Sequence, residues 1–302
     1  MTESQIEQYA LDILANLGWQ ILHGLDIGPD GAVAERELRQ VVLPERLYNA
    51  LARLNPHIPE LALKEAMRRL TQISKPSLIE NNHDFHQLLV AGVPVQYRMS
   101  SGEVKHDIVR VVDFNSPRNN DFAAVNQLTV LQGEYNRRPD IVLFVNGLPL
   151  VVIELKNAAD TKADLVAAYQ QIQTYKREIS DLFRFNELCV TSDGLEAEMG
   201  TITSPLERMM PWKTIDGEKE VGNVPMLEVL LRGACTPERL LDMVQNFIVF
   251  ERGDGDKLIK KVAAYHQYWV VNKALARTLT ASSERGDQRA GVVWHTQGSG
   301  KS

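Results

Sequence analysis

The apolar residues Ile6, Ala10, Ile13, Leu14 and Leu17 recur at helical spacing and stop at Gly18, which predicts an amphipathic helix over residues 2–17. Residues 20–59 hold no sustained period and read as loop and short helix. Helical spacing returns over 60–75 ("ELALKEAMRRLTQISK") and over 82–91, ending near Gly92. The pattern then changes. Stretches 107–114 ("DIVRVVDF") and 122–132 ("FAAVNQLTVLQ") are rich in Val and Leu at strand length, separated by the turn-rich "NSPRNND". Residues 138–157, "RPDIVLFVNGLPLVVIELKN", read as two very apolar strands joined by a tight Asn146-Gly147 turn. A long helix is predicted over 163–179, short strands at 187–193 and 198–203, and helices over 225–248 and 256–278. The closing "AGVVWHTQGSGKS" begins as a strand and runs into a glycine-rich turn. Strands followed by helices in this order predict a mixed α/β sheet flanked by helices.

A chain of 302 residues with 44% hydrophobic content can bury one large core or two modest ones, and two units are expected. No stretch approaches the ~18 to 20 uncharged apolar residues of a membrane span. The start, "MTESQIEQYALDILANLGW", is an acidic amphipathic helix rather than a signal peptide, so a cytoplasmic protein with no membrane partner is expected. Cys189 and Cys235 fit no metal or redox spacing and are expected as buried free thiols. His83 and His86 are three apart on a helix without a third ligand at metal spacing, which favours packing or exposure. The net charge of -6 argues against nucleic-acid binding over the whole surface. It leaves room for local basic patches at Arg137-Arg138, Lys156 and Lys176-Arg177.

The apolar hairpin carries charge at its ends: Asp140, Glu154 and Lys156. Glu154 and Lys156 are two apart on one strand and leave the same face of the sheet. Two carboxylates converging near a lysine suit phosphodiester hydrolysis, since carboxylate oxygens hold a hard divalent cation and an ammonium serves the attacking water or the developing charge. A structural salt bridge at the rim of a sheet is the competing reading. Register decides whether the carboxylates can meet. A plain two-residue Asn146-Gly147 loop pairs Val145 with Leu148 and leaves Asp140 opposite Ile153, pointing away from Glu154. An odd-length loop such as Asn146-Gly147-Leu148, or a bulge, sets Asp140 opposite Glu154 with Ile141, Leu143, Val151 and Ile153 on the other, buried face. One of those two devices is therefore predicted. On the following helix, Gln171 and Tyr175 are four apart and share a face from which an amide and a phenol can reach the lysine or a DNA phosphate.

The "PD…ELK" arrangement resembles the PD-(D/E)xK nuclease superfamily, and "QIQTY" resembles the Gln-x-x-x-Tyr element of its RecB-like branch. With "DFNSPRNNDFAAVNQLTV", "MPWKTIDG", "YHQYWVVNKAL" and "VVWHTQGSGKS", the chain over about residues 80–302 is similar to the N-terminal part of the R subunit of type I restriction-modification enzymes. The resemblance implies a restriction-endonuclease-like mixed sheet over 1–250 and the beginning of a RecA-like motor domain over 251–302. It implies a Mg²⁺ ion on Asp140 and Glu154, with the carbonyl of Leu155 completing the site, and Lys156 as the catalytic lysine. Gln171 and Tyr175 would support DNA cleavage, and an acidic residue from the first helix, Glu7, would join them. Implied partners are double-stranded DNA and separate methylation and specificity subunits. A repair nuclease-helicase, a single-chain restriction system and an inactive nuclease fold serving assembly are the competing readings.

"HTQGSGKS" ends in the Gly-Lys-Ser of a phosphate loop, with Gly298, Ser299 and Gly300 leading to Lys301 for the β/γ oxygens of ATP and Ser302 for Mg²⁺. His295 stands where the usual first glycine would be, a variant that the type I family resemblance implies. The competing reading is a plain glycine-serine tail. The chain stops where the anion-binding helix would start, so ATP hydrolysis is expected only from a longer polypeptide. Gln267 in "YHQYW" resembles the adenine-reading glutamine of superfamily 2 motors, against the reading of an ordinary surface glutamine.

Overall fold

The structure, a computed structural model, describes residues 2–157 and 165–293. Thr2 starts the first helix, α1 (Glu3–Asn16): its hydroxyl accepts the Gln5 N–H, and the Gln5 side chain accepts the Thr2 N–H in return. Gly18, at φ +96°, then turns the chain into a short strand, β1 (Gln20–His23), where loop was expected. Helices α2 (Pro44–Leu54), α3 (Glu60–Thr71) and α4 (Leu78–Ala91) follow. The last begins earlier than its apolar spacing suggests because Ser77 and Glu80 form a capping box. A two-stranded ribbon, β2 (Val93–Arg98) with β3 (Val104–Val109), takes the place of the strand expected over 107–114.

Next come β4 (Phe122–Asn126), β5 (Val130–Gln132) and β6 (Tyr135–Arg137). The single strand expected over 122–132 is broken because Gln127 takes the left-handed conformation, φ +52°. Then β7 (Ile141–Val145), β8 (Leu148–Leu155), α5 (Leu165–Glu178), α6 (Ser180–Phe183), β9 (Leu188–Ser192) and β10 (Ala197–Gly200) complete the central body. Six strands form one mixed sheet in the order β1-β4-β7-β8-β9-β10, parallel at β1/β4 and β8/β9 and antiparallel elsewhere. All residues of β7 and β8 are buried, as central strands covered on both faces must be.

The helix expected over 225–248 is two helices, α7 (Met226–Ala234) and α8 (Pro237–Asn246). Pro237 cannot continue a helical ladder but suits a first turn, and the Thr236 hydroxyl caps it by accepting the Arg239 N–H at 3.3 Å. An antiparallel pair, β11 (Ile248–Arg252) and β12 (Leu258–Val262), replaces the first part of the helix expected over 256–278, and α9 (Tyr265–Ala281) supplies the rest. The expected division at 250/251 therefore falls inside a strand. Ala290–Val293 form no strand: Val292 is 91% exposed, and among the described residues no neighbouring strand offers hydrogen bonds. The rest of the glycine-rich turn, Gly298 to Ser302 included, lies outside the described residues, as do residues 163 and 164 of the predicted long helix.

The hairpin uses both the tight turn and a bulge. Asn146 (φ 51°) and Gly147 (φ 77°) form a two-residue turn, pairing Val145 with Leu148 and Phe144 with Pro149. The register then shifts: Leu143 pairs with Val151 and Ile141 with Ile153, leaving Leu150 as the extra residue. Its carbonyl is used instead by the Glu187 N–H at 2.6 Å. Past the bulge, Asp140 stands across from Glu154, as the parity argument requires, with Ile141, Leu143, Val151 and Ile153 fully buried. Gly147 cannot be replaced cheaply, since a Cβ there would lie 2.5 Å from the Leu43 carbonyl oxygen.

Candidate active site

The ends of β7 and β8 bring the charged residues of the hairpin together. Asp140 Oδ2 accepts the Leu155 N–H at 2.7 Å, so the carboxylate is tied to the backbone beside Glu154. Lys156 Nζ donates to Glu154 Oε1 at 2.7 Å and to the Leu155 carbonyl at 3.1 Å, and lies 3.8 Å from Glu3. The ammonium thus engages two of the three groups expected to hold a cation. Glu154 is 2% exposed, and its other oxygen, Oε2, is buried without a hydrogen-bond partner.

Burial shapes the electrostatics. It raises the Asp140 carboxyl to about 6, with Glu3 and Glu7 adding to the rise against the Leu155 N–H and Lys156. Burial first, and then Asp140, push Glu154 up to about 8 against the pull of Lys156. Burial alone would lower Lys156, yet Glu154, Asp140 and Glu3 hold it above its ordinary value. The protein therefore keeps two carboxyls where ionisation is costly, beside an orphaned oxygen. A divalent cation would relieve that cost, and hard oxygens are the donor set it prefers. Among the described residues, no three His, Cys, Asp or Glu side chains converge at metal-binding spacing, so the Leu155 carbonyl or solvent must complete any shell on this pair.

Helix α5 supplies Tyr175, which is buried and raised well above the usual phenol range by burial and then by Glu154 and Asp140. Its hydroxyl donates to the Arg138 carbonyl at 3.4 Å and stands close enough to Glu154 to act on that carboxyl. Gln171, one turn earlier on the same face, is half-buried and close enough to act on the Tyr175 hydroxyl. From the other side, α1 presents Glu3 and Glu7 to an open cleft of about 470 Å³ that also touches His23, Asn126, Gln127 and Arg138.

The other sequence-level candidates scatter. Arg137 is paired with Glu178, and Lys176 Nζ donates to the Ile202 carbonyl at 2.7 Å, which leaves Arg138 as the member of those patches facing the cleft. The Gln267 side chain accepts the Ala264 N–H at 2.9 Å in the first turn of α9. Cys189 and Cys235 are buried free thiols, as expected. His86 packs inside, its Nδ1 3.0 Å from Glu187 Oε2, and His83 Nε2 meets the Gln87 amide at 3.1 Å.

Two groups escaped the sequence reading. Asn126 and Gln127, inside a stretch read only as strand, bring both side-chain amides to Glu7. Lys260, inside a stretch read as helix, is fully buried: Nζ meets Glu187 Oε2 at 2.6 Å, Asn82 Oδ1 at 2.9 Å and the Asn186 carbonyl at 2.9 Å. Burial alone would raise Glu187, but Lys260 and His86 outweigh it and hold the carboxyl below its ordinary range. The signal for this pair was Lys260 inside "KLIKKV", where strand alternation sends every second residue to one face.

Comparison with known proteins matches the sequence that builds this site to a family. Residues 1–208 match the profile of the type I restriction enzyme R protein N terminus (HSDR_N), and residues 266–302 match the SWI2/SNF2 ATPase profile. The chain is 44% identical to the type I restriction enzyme HindI endonuclease subunit of Haemophilus influenzae, over 100% of this chain and 29% of that protein. It is 30% identical to a putative type I restriction enzyme MjaIXP endonuclease subunit of Methanocaldococcus jannaschii, over 98% of this chain and 30% of the relative. A type I restriction enzyme endonuclease subunit of Staphylococcus aureus is 27% identical over 79% of this chain and 23% of its own. The chain spans less than a third of the length of each of these relatives. No described helix is long and apolar enough to cross a membrane. With its profile match extending over the α1 and hairpin residues that build the site, the chain belongs to the type I restriction enzyme R protein family, as the N-terminal region of such a subunit with the start of its ATPase.

Proposed function

We propose that the mixed sheet is a PD-(D/E)xK endonuclease domain that hydrolyses DNA phosphodiesters in a type I restriction enzyme, after ATP-driven translocation by motor domains that begin with α9. The observation that carries this reading is the bulged register of β7 and β8, which sets Asp140 across from Glu154 with Lys156 on the same face of β8. An apolar hairpin has no folding reason to bury two facing carboxyls, because replacing them with apolar residues would remove a desolvation cost. Asp140, Glu154 and the Leu155 carbonyl would hold Mg²⁺, which when bound polarises the phosphate and acidifies water. Lys156 orients the attacking water or meets the charge that develops on the phosphate. Gln171 and Tyr175 support cleavage from the α5 side, where Tyr175 stands beside Glu154 and Gln171 beside Tyr175, and Arg138 offers the cleft a contact for the DNA backbone.

We draw the junction between the two units after β12 rather than at 250/251. Lys260 roots β12 beside the sheet, α9 starts at Tyr265, and the ATPase profile starts at 266. Gly298, Ser299, Gly300, Lys301 and Ser302 are assigned to the ATP phosphates and their Mg²⁺, and Gln267 to the adenine, once the motor is complete. Double-stranded DNA and the methylation and specificity subunits are the proposed partners of the whole subunit, in the cytoplasm. The test is reconstitution of the full-length subunit with those partners on a plasmid carrying recognition sites. The plasmid should be cut only with both ATP and Mg²⁺ present. Translocation without any cleavage would favour an inactive nuclease fold retained for assembly.

A further inference from the structure

Asn126 and Gln127 are consecutive, and consecutive residues of a strand face opposite sides. Asn126 obeys the sheet, paired with His23 of β1 and Ile141 of β7. Gln127 does not, because its φ of +52° turns the chain out of β4. The two amides consequently meet on one carboxylate. Asn126 Nδ2 donates to Glu7 Oε1 at 2.6 Å, and Gln127 Nε2 donates to Glu7 Oε2 and reaches Asp140 Oδ1 at 3.5 Å. The backbone is fastened as well, since the Gln127 N–H donates to the Asp140 carbonyl at 2.8 Å. Gly24 closes against the same turn: a Cβ there would lie 2.3 Å from the Gln127 carbonyl oxygen.

A turn alone does not require glutamine. Glycine takes positive φ without strain and asparagine tolerates it, whereas a longer side chain is held there against its preference. The length of the Gln127 side chain is what lets it touch two carboxylates from that position. Asn126 Oδ1 is buried without a hydrogen-bond partner, so its amide is oriented by what it donates to, Glu7. We infer that Asn126 and Gln127 are positioning residues forming a neutral amide clamp that holds Glu7 beside Asp140, so that the first helix sets an oriented negative charge next to the cation site without ligating the ion. The inference rests on the nuclease reading above. Two neutral donors fix both oxygens of Glu7 without adding a positive charge that would compete with the cation.

Gln127→Gly separates this role from a structural one. It removes the amide and relieves the left-handed strain, so the thermal midpoint should be unchanged or higher, while the affinity of the 302-residue chain for Mn²⁺, measured by calorimetry, should fall about tenfold to a hundredfold. Glu7→Gln should weaken Mn²⁺ to a similar degree, and the double variant should be no weaker than Glu7→Gln alone, since the clamp acts through Glu7. Wild-type affinity in Gln127→Gly, or losses that add fully in the double variant, would overturn the clamp while leaving the nuclease reading in place. No Mn²⁺ binding by the wild-type chain would overturn both.

Discussion

Alanine at Asp140, Glu154 or Lys156 in the full-length subunit should abolish DNA cleavage, by roughly three orders of magnitude or more, while ATP hydrolysis and translocation continue. The three residues meet at the ends of β7 and β8, in the unit that precedes α9. The variants differ in what else they disturb. Glu154→Ala removes a buried carboxyl with an orphaned oxygen, so the fold should tolerate it or gain. Asp140→Ala strips the acceptor from the buried Leu155 N–H, at about 1–3 kcal/mol, and Asp140→Asn is the cleaner control. Rate assays of cleavage and ATP turnover on one preparation measure both activities. Loss of ATP turnover in a folded Glu154→Ala subunit would contradict the separation of the two centres.

The largest stability effect is expected far from the chemistry. Lys260→Ala should destabilise the chain by about 3–5 kcal/mol, because it leaves Glu187, itself fully buried, without its ammonium partner. In a protein of this size that loss corresponds to a fall in the melting midpoint on the order of 10 °C. The same residue holds three elements together: its Nζ reaches Asn82 on α4 and the Asn186 carbonyl before β9, and its carbonyl accepts from Thr201 and Thr203. Pairing Lys260→Met with Glu187→Leu should recover most of the loss, since burying the pair costs more than it returns once both charges are gone. Chemical denaturation of the two variants provides the comparison. A Lys260→Ala chain within 1 kcal/mol of wild type would mean that water reaches Glu187.

What the sequence disclosed and what it hid follow from how local each determinant is. Asp140, Glu154 and Lys156 were legible because charged residues in an apolar hairpin violate the pattern of their own strand, and the need for a bulge followed from strand parity alone. The bulge itself had no marker beyond Pro149, which tolerates a pair lacking an N–H. Gln127 was hidden, since a left-handed glutamine in "FAAVNQLTVLQ" looks like any strand residue. The Lys260–Glu187 pair joins residues 73 apart and depends on a fold that local spacing does not encode. Gln20–His23 was missed because its four residues lie between two turns with no alternation of burial to report. By contrast, the break at Pro237 was written in "CTPERL", where threonine, proline and glutamate announce a new helix inside a run read as one.

The two carboxylates facing each other across the bulged hairpin should share one divalent cation. Crystals of this chain soaked in Mn²⁺ and measured at the manganese absorption edge test it most directly. A single anomalous peak within bonding distance of Asp140, Glu154 and the Leu155 carbonyl, absent from an Asp140→Asn crystal, is the predicted result. A soaked wild-type crystal with Lys156 still bonded to Glu154 and Leu155 and no anomalous peak between the carboxylates would contradict it.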